Sequence, residues 1–176
     1  MRTRFSSVEL AEAFADFQKT VAEVAVSRDW DRWADQFTEN AHYIEHAYGT
    51  FHGREAIRAW VTKTMTSFPG SHMTEYPALW HVCDPETGRV ICEVDNPMRD
   101  PGDGSVFNAT NITILTYAGD GLWSGEEDVY NPMEFGQMTY AWCRRAAACG
   151  TLDEPARTWM ETYGAMFAPR TKAAEA

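Results

Sequence analysis

The spacing of apolar positions divides the chain into a helical first part and a strand-rich middle. Val8, Ala11, Phe14, Val21, Ala22 and Ala25 recur at helical spacing and predict an amphipathic helix over 8–27. Trp30, Trp33, Ala34 and Phe37 continue the pattern in a second helix, with Asp29 as its N-cap. A polar strand is expected over 41–46. Gly53 then opens a third helix through Ile57, Trp60, Val61 and Thr64 to Phe68, stopped by Pro69 and Gly70.

Beyond residue 70 the period changes. Four β-rich runs, near 74–83, 89–98, 105–117 and 122–131, are separated by segments rich in Asp, Pro and Gly at 84–88, 100–104 and 118–121. Residues of that kind favour tight turns, and three in succession predict an antiparallel meander. The glycines of 102–104 read as a hairpin turn, since no helix is expected after them. Pro132 begins a further helix, at a position where its missing N–H costs nothing. It runs to about residue 148, a last helix spans about 153–167, and TKAAEA reads as a disordered tail. With no internal repeat and no linker, one domain is expected, residues 1–150 forming its body and 151–176 its C-terminal helix and tail.

Composition narrows the function. The 176 residues carry a net charge of −11 and no compensating basic run. Nucleic acid and anionic membranes are therefore not expected partners. The N-terminus lacks the apolar core of a signal peptide, and no run approaches the roughly 20 apolar residues of a membrane span. The four cysteines, Cys83, Cys92, Cys143 and Cys149, form no CxxC pair, which fits reduced thiols in a cytoplasmic protein. Asn108 and Asn111 begin glycosylation sequons that carry no meaning without a secretory route.

Strand parity decides which polar groups share a face. Tyr43 and Glu45 oppose His42, Ile44 and His46; Ile91, Glu93 and Asp95 oppose Val90, Cys92 and Val94; Ser124, Glu126, Asp128 and Tyr130 fall together. Two readings stay open. The carboxylates line a solvated sheet face, or helices cover that face and crowd them together. In the second case one holds its proton near neutrality while another stays charged, the asymmetry that acid–base catalysis needs. His42 and His46 are too far apart for a metal site without a third ligand, so no metal is expected. His46 beside Glu45 is placed to relay protons. No nucleophile or Walker-type motif is present. The tryptophans and methionines read as core, those of the covering helices, Trp33 and Trp60, also serving as the apolar wall of a ligand cavity.

These stretches resemble the nuclear transport factor 2-like superfamily, and its SnoaL-like group in particular, over about residues 8–135. The resemblance rests on Asp29-Trp30-Asp31-Arg32-Trp33, Phe37-Thr38-Glu39-Asn40-Ala41, Gly49-Thr50-Phe51-His52-Gly53-Arg54-Glu55-Ala56-Ile57 and the meander ending in Glu127-Asp128-Val129-Tyr130-Asn131-Pro132. It implies an α+β fold: a cone-shaped barrel, N-terminal helices packed on a curved, mostly antiparallel sheet, with extra C-terminal helices. Relatives include polyketide cyclases, ketosteroid isomerases, dehydratases and limonene epoxide hydrolases, most without metal or organic cofactor, alongside non-catalytic binding proteins. The implied function is a cofactor-independent cyclase, isomerase or dehydratase, a homodimer acting on a small apolar molecule, polycyclic ones included. Asp95 and Asp128 are its expected acid–base pair, Tyr43 and His46 orient or relay protons, and Glu45, Glu93, Tyr130, Trp33 and Trp60 contact substrate. The alternatives are a binding module of the same fold and an epoxide hydrolase. For the hydrolase, Asp95, Asp128 and Tyr43 match the family pattern, while Glu93 stands where it has arginine and Glu45 where it has asparagine. Against ketosteroid isomerases, His46 takes the place of the general-base aspartate.

Overall fold

The computed structural model describes residues 5–169, so the TKAAEA segment lies outside the described part. Helix α1 (Ser7–Ser27) begins where the Ser6 hydroxyl accepts the Glu9 N–H at 3.0 Å. Its buried stripe is Leu10, Phe14, Phe17, Val21, Val24 and Ala25; Phe14, Val21 and Ala25 lie on it as the spacing predicts, while Val8, Ala11 and Ala22 of the expected stripe are exposed. It ends at Arg28, held at φ 62°, a conformation uncommon outside glycine. The Arg28 guanidinium donates to the Met73 carbonyl at 2.7 Å, tying that turn down. Helix α2 (Trp30–Ala34) is capped by Asp29, whose carboxylate accepts the Arg32 N–H at 3.4 Å. It is shorter than the apolar pattern suggested because Phe37 already belongs to a strand.

Six strands form one mixed sheet: β1 (Phe37–Glu45), β2 (Gly49–His52), β3 (Ala78–Asp84), β4 (Arg89–Asp95), β5 (Thr110–Gly119) and β6 (Leu122–Val129). Their order is β2-β1-β6-β5-β4-β3, so β2 and β3 are edges and the sheet is not closed. The expected meander is present as β3 to β6, antiparallel throughout. β1 joins it parallel to β6. β1 starts earlier than expected because Thr38, Glu39 and Asn40 are polar and hide its beginning, and β2, only four residues long, gave no periodic signal. β3 begins after Pro77, and β5 only at Thr110.

Helix α3 (Arg54–Thr66) follows β2 and packs on α2 and β1. Helix α4 (Pro132–Cys149) opens with proline in its first turn, where the Asn131 side chain accepts the Met133 N–H at 3.1 Å, and closes at Gly150 with φ 74°. Helix α5 (Glu154–Phe167) packs back on α4. The core between α1 and the sheet centres on fully buried Trp123, with Phe17 at 5.6 Å and Tyr117 at 5.2 Å between ring centroids. Burying each such ring contributes about 1.5–3 kcal/mol. No helix among the described residues is long and apolar enough to cross a membrane.

Candidate functional site

The parallel pairing of β1 with β6 brings distant carboxyls into one patch. Its register sets Tyr43 beside Glu126 and Glu45 beside Asp128, and the antiparallel β5 adds Leu115 opposite Glu126 and Thr113 opposite Asp128. Cys92 of β4 lies opposite Thr113. With strands about 4.8 Å apart, two rows of side chains cross the helix-covered face. One reads Glu45, Asp128, Thr113, Cys92. The other reads Tyr43, Glu126, Leu115, Val90.

The two rows treat their carboxyls differently. Asp128 accepts three hydrogen bonds from uncharged donors: the Thr113 hydroxyl at 2.5 Å, the Asn111 amide at 2.9 Å and the Tyr43 hydroxyl. Asn111 is itself held by the Asn96 amide at 2.8 Å, with Asn96 buried against the Ala109 carbonyl at 3.2 Å. Glu45 accepts the N–H groups of Ala47 and Tyr48 at 2.8 and 2.7 Å and the Tyr130 hydroxyl. Glu126 is only 6% exposed, yet its Oε2 has no hydrogen-bond partner among the described residues. The cause is its row: Leu115 offers nothing, and the Tyr43 hydroxyl is taken by Asp128.

Burial raises the pKa of both Asp128 and Glu126. For Asp128 the bonds from Thr113, Tyr43 and Asn111 oppose that rise. For Glu126 the neighbouring Asp128 charge adds to it, so its carboxyl stands well above the usual range. Asp128 is thus equipped to carry the negative charge while Glu126 keeps a proton. Burial and the surrounding carboxylates also hold the Tyr43 phenol protonated, and burial pushes the Cys92 thiol up to about 12, which makes it inert.

These groups line a pocket of about 940 Å³ between the sheet and the helices. Its walls are aromatic: Trp30 and Trp33 from α2, Trp60 from α3, Phe135 from α4, and Trp159 and Phe167 from α5. Of the expected site residues, Tyr43, Glu45, Asp128, Tyr130, Trp33 and Trp60 all lie on this pocket.

Three do not. Because Cys92, Val94 and Asn96 face the pocket, alternation turns Glu93 and Asp95 to the opposite sheet face. There Glu93 accepts from the Trp80 indole and Asp95 from the Asn108 amide at 2.9 Å. His46 falls just past the end of β1 and pairs with Glu127 at 2.8 Å in an exposed position. The expected Asp95–Asp128 pair is therefore not assembled. Among the described residues the hydrogen-bond partners of both aspartates are uncharged, so the hydrolase arrangement, two aspartates bridged by a cation, is not formed there either. Glu126, Asn111 and Thr113 are the site residues that the reading above did not single out. Parity had already put Glu126 with Asp128, but Asn111 and Thr113 stood out only as a sequon.

A six-stranded mixed sheet with helices across one face is the architecture of nuclear transport factor 2-like cone folds. The chain belongs to the SnoaL-like domain family, whose model matches residues 13–125. Among solved structures it is similar to a candidate isomerase from Bacillus subtilis (16% identity, TM-score 0.55, covering 82% of this chain and 96% of that one). It is also similar to a candidate polyketide cyclase from Xanthomonas campestris pv. campestris (16% identity, TM-score 0.54, 72% and 96% covered). A nuclear transport factor 2-like protein from Anabaena variabilis ATCC 29413 matches comparably (14% identity, TM-score 0.54, 74% and 95%). At such identities the likeness speaks for the fold alone. No curated protein sequence matches the chain.

Proposed function

We propose that the protein is a cofactor-independent acid–base enzyme that moves a proton on a small, largely apolar molecule, polycyclic ones included, in a cyclisation, isomerisation or dehydration. The observation that carries this reading is the pair Asp128 and Glu126: adjacent buried carboxyls, one supplied with three donors and the other with none, on the floor of an aromatic pocket.

In this mechanism the substrate lies between the aromatic walls and the carboxyl rows. Asp128 takes a proton from a carbon next to a carbonyl, and the C–H electron pair forms the enol double bond. Glu126 gives its proton to the carbonyl oxygen, so no free oxyanion builds up in the apolar pocket. Tyr43, Thr113 and Asn111 hold the Asp128 carboxylate in place and shed no charge of their own. Return of the proton at another carbon isomerises the substrate; attack of the enol carbon on a second carbonyl closes a ring.

A non-catalytic binding module is the second reading. It is favoured by the engagement of both Asp128 oxygens and by the aromatic walls. Hydrogen–deuterium exchange separates the two. Incubated in D₂O with enolisable aryl ketones that it binds, the protein should accelerate exchange at the carbon next to the carbonyl. Asp128→Asn should lose about 10²- to 10⁴-fold of that acceleration, the usual worth of one acid–base group. Binding without exchange above the buffer rate would leave the binding module standing.

A further inference from the structure

Helix α5 begins and ends on special contacts. At its start Asp153 caps the helix by accepting the Ala156 N–H at 3.2 Å, and its second oxygen meets His72 at 2.8 Å and Arg99 at 3.0 Å. Ala156 is fully buried. Trp159, Tyr163 and Phe167 recur every four residues, so they form one stripe, and all three line the pocket. On one flank Trp159 meets Phe68, just past the end of α3, at 5.8 Å; on the other, Tyr163 lies close enough to Tyr48 to help raise that phenol's pKa, after burial and Glu45. Half of Tyr163 (49%) and most of Met166 (66%) remain exposed. The helix therefore crosses the pocket's outer side, and its stripe is the wall opposite the carboxyl floor.

The end of that wall depends on one glycine. Phe167 packs its ring onto α4 where residue 136 has no side chain; a Cβ there would lie 2.1 Å from Cε1 of the ring. The ring is further held by a parallel stack on Trp159, with centroids 5.6 Å apart and planes 8° from parallel. Tyr140 of α4 packs beside Gly164 of α5 at ordinary contact distance, 3.5 Å from where a Cβ there would stand. The family match ends at residue 125, before either helix.

We infer that α5 is the specificity element of this pocket, and that Phe167, seated on Gly136, sets the greatest length of ligand the pocket accepts. Gly136 on α4 admits the Phe167 ring, and the seated ring closes off space that would otherwise extend the apolar channel. The inference rests on the pocket being the ligand site but not on any chemistry occurring there.

The test is binding of a homologous series of straight-chain alkyl phenyl ketones, from acetophenone upward, followed by quenching of tryptophan fluorescence. In the wild type each added methylene should tighten binding about fourfold until the chain meets Phe167, after which the gain stops. In Phe167→Ala the rise should continue, the first ketones that the wild type rejects gaining about tenfold or more, the worth of roughly two methylenes. Gly136→Ala keeps Phe167 but denies it its seat, and should move the limit too; Glu161→Ala, on the exposed side of α5, should not. Phe167→Leu gives an intermediate limit and guards against misfolding of the alanine variant. A limit unmoved in both Phe167 variants overturns the inference while leaving the acid–base reading intact. A moved limit without deuterium exchange supports the wall and sinks the chemistry. Failure of the wild type to bind any ketone of the series overturns both.

Discussion

The Thr113 hydroxyl is the most informative single group to remove. Thr113 is buried and donates to Asp128 at 2.5 Å while accepting from Asn111 at 2.8 Å. Thr113→Val keeps the shape and deletes only the hydroxyl; Asn111 retains Asp128 as a partner, so nothing else is orphaned. A hydrogen bond to a charged group contributes about 1.5–3 kcal/mol and one between neutral groups about 0.5–1.5. The cost should therefore be about 2 kcal/mol where Asp128 is ionised and about 1 kcal/mol where it is protonated. Burial raises the folded pKa of Asp128 above its ordinary 3.8, so folding retains a proton and stability falls as pH climbs past that value. The Thr113 bond favours the anion. Without it the folded pKa rises further, and the variant loses more stability than the wild type as pH rises. Urea unfolding at about pH 5 and about pH 8 reads the difference, and in thermal melts the larger cost corresponds to about 4–8 °C. Thr113→Ser keeps the donor and should show no pH-dependent component. A Thr113→Val penalty at pH 8 no larger than the roughly 1 kcal/mol of a bond between neutral groups would refute the assignment of the charge to Asp128.

Other outcomes follow from the same contacts. Glu126 has a folded pKa raised well above 4.5, so the wild type loses stability as pH rises from that value; Glu126→Gln removes the slope, and chemical denaturation should favour the variant increasingly toward alkaline pH. His72 is the opposite case: burial, then Arg99, lowers its folded pKa, the unfolded chain binds the extra proton, and stability should fall as pH drops below about 6.5. His72→Phe, whose ring also fits against Trp142 and Phe68, should flatten that acid limb in melts. Trp80 and Val82 stand exposed on the outer sheet face; we expect a homodimer through it, and Val82→Glu should sediment as a monomer where the wild type sediments at twice the mass.

Much of the floor of the site was legible in the alternation of two strands. Parity put Glu126, Asp128 and Tyr130 on one face and Tyr43 with Glu45, and these side chains do share the pocket. Parity split β4 correctly, and what failed was the choice of which face the helices cover. Either face of that strand carries an apolar residue, and the covered one holds only Val90, Cys92 and Val94, so its carboxylates suggested the wrong side. Two of the three polar partners of Asp128, Asn111 and Thr113, came from β5, and which residue of β5 faces Asp128 is a matter of register between strands, which no periodicity along the chain records. His46 was given a role against its own parity: alternation sets it opposite Tyr43 and Glu45, and there it pairs with Glu127 away from the pocket. The stripe of α5 was visible as a helix, but its seat on Gly136 is a contact between helices that leaves no pattern in either.

The parallel seam between β1 and β6 has a consequence for how the protein comes into being. Tyr43 and Asp128 are 85 positions apart, and the strand that carries Asp128 is the last of the sheet to be synthesised. During translation helices α1 to α3 and β1 leave the ribosome with the central seam of the sheet unfilled, and the large loop between β1 and β6 must close before Tyr43 meets Asp128. The bond from Tyr43 to Asp128 thus forms only when the sheet is complete, never in a half-made chain. A truncation anywhere before β6 leaves Tyr43 and Glu45 without their counterparts, so the appearance of the site in a timed synthesis is itself a clock for the closing of the fold.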